Sequence, residues 1–199
     1  MANVIHEMVD MVFDLEGGIL PDTYPFALWA EIVRIAPRLA EDESVGVLPL
    51  QTAESREGLL LPKRAKLVLR LPTALLDAAS RLAGSVLQIG SSQLRPGTNR
   101  ARPIQPFPTL HAQLVTGASD ETMFMESIRE QLSEMSIAAN LVCGMRRTLA
   151  DGQRTIHGYS LVVHDLKPEA SLQLQYAGLG EERHFGCGIF VPHKVISGL

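Results

Sequence analysis

The first half of the chain alternates between the apolar spacings of strands and of helices. Residues 9–15 (Val-Asp-Met-Val-Phe-Asp-Leu) alternate as a strand does, and Gly17-Gly18 end the pattern. A helix is then predicted to begin near Tyr24-Pro25, because apolar residues follow at helical spacing. The apolar residues of that helix face are Leu28, Ile32, Ile35 and Leu39. Pro37 shortens or kinks the helix.

Two strands, a second helix and a short strand complete this half. Residues 45–51 and 59–71 have the composition of paired strands joined by a polar segment. A helix is predicted over residues 72–82, because a proline at the first position favours the first turn of a helix. Gly84 ends this helix, and residues 86–89 are predicted to form a short last strand.

The second half repeats this order of elements. Its first helix carries an apolar face at helical spacing, and Asp151-Gly152 is a common hairpin turn. The residues of that helix face are Phe124, Ile128, Leu132 and Met135. The predicted elements are strand 110–115, a helix capped by Ser119 or Asp120, strands 139–145 and 155–164, a helix from Pro168 to Ala177, and strand 188–191.

Each half therefore has the order β-α-β-β-α-β, which is the plan of the ferredoxin-like fold and of RNA-recognition motifs. We expect an α+β protein with ferredoxin-like domains at residues 1–99 and 109–199. Residues 100–108 contain three prolines and are predicted to form a semi-rigid linker. The alternative is a single α+β domain in which this order of elements is a coincidence.

The composition is that of a globular protein. Hydrophobic residues make up 46% of the 199 residues and charged residues 20%, which excludes a disordered chain. No apolar run reaches the length of a membrane span, and the N-terminal residues lack the basic start and apolar stretch of a signal peptide. We therefore expect a cytoplasmic protein.

The two cysteines, Cys143 and Cys187, are too few for a disulfide framework and do not form a close pair. A zinc site formed by them with His157, His164 or His184 is an alternative to ordinary thiols. Structural zinc sites usually show closely spaced ligand pairs, so we expect no metal and no other cofactor.

Positive charge is concentrated in one segment, although the net charge of the chain is −4. From Lys63 to Arg102 there are eight basic residues and one acidic residue, Asp77, so this segment carries +7 and the remainder −11. A nucleic-acid backbone responds to a local basic surface rather than to the average charge. The alternative is a solvated face whose charges are compensated by acidic neighbours.

Glycines are dense near the C-terminus. Gly178-Leu179-Gly180 and Gly186-Cys187-Gly188 flank a charged pentapeptide, and an apolar segment follows. Glycine lets a backbone approach a ligand closely and aim successive N–H groups at phosphate oxygens. The position of the segment, far from the first strand, disfavours the usual nucleotide-binding loops.

The duplicated fold, the basic segment and the glycine-rich segment together resemble the CRISPR-associated repeat-processing endoribonucleases of the RAMP superfamily. The loop of that family runs approximately glycine, apolar, glycine, several variable and often basic residues, glycine, x, glycine, then apolar residues. The matching residues here are Gly178-Leu179-Gly180, Arg183, Gly186-Cys187-Gly188 and 189–192. Residues 13–18, 61–66 and 189–194 are similar to the small subtype labelled MYXAN.

The resemblance implies an enzyme that binds a repeat in the CRISPR precursor transcript, often a hairpin, and cuts at its base. Cleavage in the family needs no metal. The RNA 2′-hydroxyl attacks the adjacent phosphate and leaves a 2′,3′-cyclic phosphate and a 5′-hydroxyl. The enzyme commonly remains on the 3′ handle as a subunit of an effector complex. The implied partners are repeat RNA and other effector subunits, with no membrane.

Proton transfer in this reaction suits histidine, whose pKa lies near neutrality. Many members of the family have a histidine in or near the first helix, but this chain has none between Leu15 and Arg70. Tyr24 is the catalytic candidate in that region, either to position or to deprotonate the 2′-hydroxyl. The alternative for Tyr24 is packing at the start of the helix.

His111 and His157 are catalytic candidates on the first and third strands of the second half. Alternation places His111 with Gln113, and His157 with Tyr159, opposite the apolar face. The two imidazoles are therefore expected on one exposed face. The alternative for each histidine is a structural or RNA-contact role.

Two further histidines lie in or near the glycine-rich segment. His184, beside Arg183, is the fourth catalytic candidate and is otherwise an exposed loop residue. His193, next to Lys194, is expected at the end of the final strand, where it would bind phosphate.

Basic residues suit RNA binding, and aromatic residues suit stacking on bases. Arg64 and Lys66 are expected to share a face at the start of a strand. Tyr159 and Phe185 are the candidates for stacking on RNA bases. The predicted RNA-binding residues are Lys63, Arg64, Lys66, Arg146, Arg147, Gly180, Arg183, Gly186, Gly188 and Lys194.

Two other functions are compatible with parts of the sequence. A non-cleaving subunit that caps the 3′ handle of the guide RNA is the main alternative, because the first-helix histidine is missing. A phosphate-binding metabolic enzyme is disfavoured. Such an enzyme needs a Gly-Lys-Ser/Thr step or a Gly-x-Gly-x-x-Gly motif after the first strand, and neither is present.

Overall fold

The computed structural model describes residues 7–193 and forms two compact units. Of the described residues, the first unit comprises 7–104 together with Arg183–Gly186. The second unit comprises Gln105–Glu182 and residues 187–193. No helix within residues 7–193 is long and apolar enough to cross a membrane.

The described part of the first unit contains eight strands and two α-helices. In chain order they are β1 (Met8–Glu16), β2 (Ile19–Leu20), α1 (Tyr24–Ile35), β3 (Gly46–Val47), β4 (Ala53–Ser55), β5 (Gly58–Leu60), β6 (Lys66–Pro72), α2 (Leu76–Ser80), β7 (Leu87–Ile89) and β8 (Ser92–Pro103). The main sheet has the order β3-β6-β1-β8-β7, and a small second sheet has the order β2-β5-β4. The strands β3, β6, β1 and β8 follow the ferredoxin-like order.

The apolar face of helix α1 is buried in the core of this unit, in one cluster with residues of β1. A proline, Pro25, lies in the first turn, and the helix ends at Ile35 before Pro37. Leu28 is buried in the same cluster as Phe13 of β1. The predicted helix is therefore confirmed, but it ends at Ile35 and does not extend to Leu39.

The end of the first unit differs from the prediction. The predicted last strand is β7, which forms a hairpin with β8, and it is β8 that pairs with β1. The residues of β8 are mainly exposed and include Pro96 and Gly97, so their sequence pattern did not resemble a strand. Residues 100–103 were predicted to begin the linker and instead belong to β8.

The predicted strand pair 45–51 and 59–71 is also shorter than expected. β3 and β6 pair over two residues of β3, and the β4–β5 hairpin occupies the connection between them. Lys63 and Arg64 therefore precede the strand. They lie in a turn closed by a hydrogen bond from the Ala65 N–H to the Pro62 carbonyl, 3.0 Å long.

The second unit has a four-stranded sheet with two helices. Its elements are β9 (Leu110–Thr116), α3 (Glu121–Glu134), β10 (Asn140–Ala150), β11 (Thr155–His164), α4 (Pro168–Ala177) and β12 (Val191–Pro192). The strand order β10-β11-β9-β12 is the ferredoxin-like order predicted for this half. Asp120 caps α3, because its carboxylate accepts a hydrogen bond of 3.0 Å from the Met123 N–H.

Candidate functional site

The glycine-rich segment, Gly178–Gly188, is a tightly folded connection between α4 and β12. Four of its glycines have positive φ angles, which other residues rarely adopt: Gly178, Gly180, Gly186 and Gly188. A side chain at Gly188 would lie 2.0 Å from the carbonyl oxygen of Leu179. The glycines therefore serve the fold of the segment itself.

The N–H groups of these glycines donate hydrogen bonds within the protein. The N–H of Gly188 donates to a backbone carbonyl of β9 at 2.7 Å, and that of Gly180 donates to a glutamine side chain of α3 at 2.9 Å. The N–H of Gly186 donates to the carbonyl of Arg183 at 3.1 Å. The expectation that these three glycines aim free N–H groups at phosphate is therefore wrong.

The tip of the segment, Arg183–Gly186, belongs to the first unit and contacts α1. The imidazole of His184 stacks on Trp29, with ring centroids 4.0 Å apart and planes 15° apart. Phe185 lies against Phe26, with ring centroids 4.8 Å apart. Both side chains were expected to face RNA, and aromatic packing places them against the protein instead.

Arg183 is buried in the first unit, with 8% of its surface exposed. Its Nε donates to the carbonyl of Ser44 at 3.1 Å. Burial, reinforced by Arg70 and opposed by Asp10, lowers the pKa of Arg183 to about 10. Asp10 and Arg70 themselves form a buried ion pair of 2.8 Å. The predicted surface contact between Arg183 and RNA is therefore contradicted by its position.

Tyr24 lies at the start of α1 with its hydroxyl inside the core. The side chain is 7% exposed, and the hydroxyl oxygen accepts a hydrogen bond of 2.9 Å from the Leu50 N–H. Burial raises the pKa of Tyr24, which makes deprotonation harder. The structure therefore corrects the catalytic prediction and places Tyr24 in the packing role.

The sheet of the second unit separates the two predicted catalytic histidines. His157, Tyr159 and Leu161 are two residues apart along β11, so they point to the same face of the sheet. Tyr159 and Leu161 are buried in the core with α3 and α4. His111 lies directly opposite Val162, which belongs to the alternate set of β11 residues. The expectation that the two imidazoles share a face is therefore wrong.

The position of Tyr159 explains why the alternation along β11 did not predict which face of the sheet is exposed. Its ring packs on Phe124, with centroids 4.8 Å apart, while its hydroxyl donates to the Ser119 carbonyl at 2.7 Å. The alternation along the strand predicts this polar aromatic residue on the exposed face, whereas it lies in the core. Tyr159 is therefore not a stacking platform for RNA bases.

The face of this sheet away from α3 and α4 carries a row of four side chains across four strands. Val142 lies directly opposite Val162, and Val162 lies opposite His111. His111 in turn lies opposite Val191. His193 stands beside this row, and its ring centroid is 5.4 Å from that of His111. We call this row together with His193 and Arg147 the histidine face.

Of Arg146 and Arg147 on β10, only Arg147 lies on the histidine face. Arg146 is opposite Tyr159, so it shares the helix side of the sheet with His157, and Arg147 points the other way. Burial lowers the pKa of His111, and His193 and Arg147 lower it further. A lowered pKa favours the neutral imidazole, which is the form that accepts a proton.

The basic residues near the start of β6 are exposed but differ in their surroundings. Lys66 forms an ion pair with Asp14 on β1, so part of its charge is already compensated. Lys63 and Arg64 lie in the preceding turn, so Arg64 does not share a strand face with Lys66 as predicted. Lys194 lies outside the described residues.

Comparison with known proteins places the chain in a family. Residues 9–195 match the family model described as Cas6 Crispr. The CRISPR-associated endonuclease Cas6 of Myxococcus xanthus (strain DK1622) is 32% identical over 186 residues, which cover 92% of this chain and 81% of that protein. The chain belongs to the Cas6 family. The resemblance to CRISPR repeat-processing enzymes is thereby confirmed.

Solved structures share the fold of this Cas6 family member. One, described as an RAMP protein binding different RNA substrates, has a TM-score of 0.70 and 14% identity, and the match covers 92% of this chain and 98% of that chain. Another, described as CRISPR associated protein Cas6, has a TM-score of 0.67 and 10% identity over 94% of this chain and all of that chain. The likeness confirms the α+β fold class.

Two features of this Cas6 family member were not predicted. The first is the contact of His193 with His111, which the sequence signals only through the rule that the first and last strands of a ferredoxin-like half are neighbours. The buried pair of Asp10 and Arg70 had no sequence signal beyond a charge within each apolar strand.

Within residues 7–193, no three His, Cys, Asp or Glu side chains are grouped to hold a metal ion.

Proposed function

We propose that this Cas6 family member is a metal-independent endoribonuclease that cuts CRISPR repeat RNA. The ribose 2′-hydroxyl attacks the adjacent phosphate, and the products carry a 2′,3′-cyclic phosphate and a 5′-hydroxyl. The observation that carries the proposal is the histidine face, which brings imidazoles and Arg147 to one surface. The substrate class is supported by the Myxococcus endonuclease and by the RNA-binding RAMP structure.

The groups on the histidine face suit the requirements of this reaction. Imidazoles transfer protons near neutral pH, both from the attacking hydroxyl and to the leaving oxygen. A guanidinium such as that of Arg147 stabilises the added negative charge on the phosphate in the transition state. His157 lies on the other side of the sheet near Thr148, at 3.3 Å, and its catalytic role stays a prediction.

We propose that exposed basic residues bind the RNA. Lys63 and Arg64 lie in an exposed turn, and Arg146 and Arg147 lie on the exposed β10 strand. Electrostatic contacts of this kind bind phosphates without reading the sequence. After cleavage the protein stays on the 3′ handle, together with other effector subunits.

Cleavage of a labelled repeat RNA in EDTA tests this proposal. We expect one cut, a product that ends in a 2′,3′-cyclic phosphate by mass spectrometry, and no metal requirement. Replacing the 2′-hydroxyl at the cut with hydrogen removes the nucleophile, so cleavage stops while binding persists. A cut that requires a divalent metal, or that persists in the 2′-deoxy RNA, contradicts the mechanism.

A non-cleaving RNA-binding subunit is the second candidate function. Two observations favour it: the chain has no histidine between Leu15 and Arg70, and the hydroxyl of Tyr24 is buried. In that case the same experiment shows tight binding of the repeat RNA and no product.

A further inference from the structure

We propose that His111 and His193 form the acid–base pair of RNA cleavage, with His111 as general base and His193 as general acid. The inference rests on the proposed endoribonuclease function and assigns its two proton-transfer groups. The sequence alone indicates only a phosphate contact for His193.

Strand pairing holds the two imidazoles at a defined separation. Val191 lies opposite His111, and the N–H of His193 donates to the Thr109 carbonyl at 2.9 Å, which continues the same pairing. His193 is therefore the diagonal neighbour of His111 on one face of the sheet. The ring centroids are 5.4 Å apart. Since a hydrogen bond spans about 2.8 Å, the two rings can reach the 2′-hydroxyl and the 5′-oxygen that flank a single phosphorus.

The surroundings of His111 suit it to the role of base. The cation of His111 is disfavoured by its partial burial and by the nearby His193 and Arg147. The general acid is then His193, the other imidazole of the pair, whose ring centroid is 5.4 Å from that of His111. His164, one strand away in β11, lies within hydrogen-bond distance of the Asp165 carboxylate, at 2.8 Å, so its ring is already engaged.

The cleavage step then balances in protons and bonds. Neutral His111 takes the proton of the 2′-hydroxyl as the 2′-oxygen bonds to phosphorus. The bond from phosphorus to the 5′-oxygen breaks, and protonated His193 gives its proton to that oxygen. Arg147 faces the added charge on the non-bridging phosphate oxygens. Exchange of protons with water restores both imidazoles.

A substrate with a sulfur in place of the 5′ leaving oxygen separates the two roles. A thiol has a pKa of about 8.5, so a thiolate leaves without being protonated. We expect His193→Gln to slow cleavage of the natural repeat about 10²–10⁴-fold and to cut the sulfur-containing repeat within about tenfold of the wild-type rate. His111→Gln is expected to be slow on both substrates, because the 2′-hydroxyl still needs a base.

Rescue by the sulfur substrate also shows that His193→Gln is folded, and His164→Gln serves as the matched control on the same sheet face. We expect His164→Gln to cut both substrates at the wild-type rate. The assignment is overturned if His193→Gln is equally slow on both substrates, if it cuts the natural repeat normally, or if rescue occurs with His111→Gln. Failure of the wild-type protein to cut either RNA instead contradicts the proposed function.

Discussion

Residues of one type have different environments in this chain, and the environment selects their chemistry. His184 stacks on Trp29, whereas His111 is half-buried on the histidine face beside His193. Tyr24 and Tyr159 both place their hydroxyls in hydrogen bonds to the backbone. Residue type therefore indicated which side chains have the chemistry to act on RNA. Their burial then showed which of these candidates cannot reach it.

The charge of Arg147 is expected to act on the pKa of His111. Replacing Arg147 with Gln removes a positive charge that disfavours the imidazolium, so the pKa of His111 rises towards its ordinary value. An NMR titration of the His111 ring measures the shift. Arg147→Lys keeps the charge and serves as the control. An unchanged pKa in Arg147→Gln would place that guanidinium too far away to stabilise a phosphate on His111.

Among the elements, the sheet of the first unit depends on an ion pair between neighbouring strands. Asp10 on β1 and Arg70 on β6 are directly opposite and buried, and Arg102 on β8 adds a longer contact of 3.4 Å. Removing one partner of a buried pair leaves the other charge uncompensated. We expect Asp10→Ala to lower the free energy of unfolding by about 3–5 kcal/mol in urea denaturation.

Asp14→Ala is the matched control for this prediction. Asp14 lies on the same strand and pairs with Lys66, but both side chains are exposed. Exposed pairs contribute little to stability, so the unfolding midpoint should stay near that of the wild type. Equal destabilisation by the two variants would show that the burial of Asp10 is not what makes its pair important.

Element type was largely predictable, whereas element boundaries and β8 were not. Helices α1, α3 and α4 follow from apolar spacing, an initial proline or an Asp cap, all of which act within a few residues. β8 has an exposed, polar sequence with Pro96 and Gly97, and only its pairing with β1 makes it a strand. Long-range pairing leaves no periodic signal in such a segment.

Over the whole molecule, charge is distributed unevenly, and this predicts how RNA binding depends on salt. If Lys63 and Arg64 contact phosphates, replacing either with Ala reduces the slope of log affinity against log salt by about one. Filter-binding or anisotropy titrations at several salt concentrations measure the slope. Lys66→Ala is expected to have a smaller effect, because Asp14 already compensates its charge.

Arg38→Ala is the control for the salt dependence. Arg38 is an exposed cation of the first unit, outside the basic segment that begins at Lys63. Its replacement should leave the slope unchanged. If Arg38→Ala and Lys63→Ala reduce the slope equally, the basic segment has no special role in binding.

The sequence by itself determined the order of elements, the two similar halves, the α+β class and the resemblance to the Cas6 family. These depend on local spacing, turn residues and motifs that are read directly along the chain. Tertiary structure alone decided which side chains are accessible. Packing buried Tyr24 and Arg183. Strand pairing put His157 and His111 on opposite faces and brought His193 beside His111. Accessibility and proximity depend on contacts between distant residues, which local patterns do not contain.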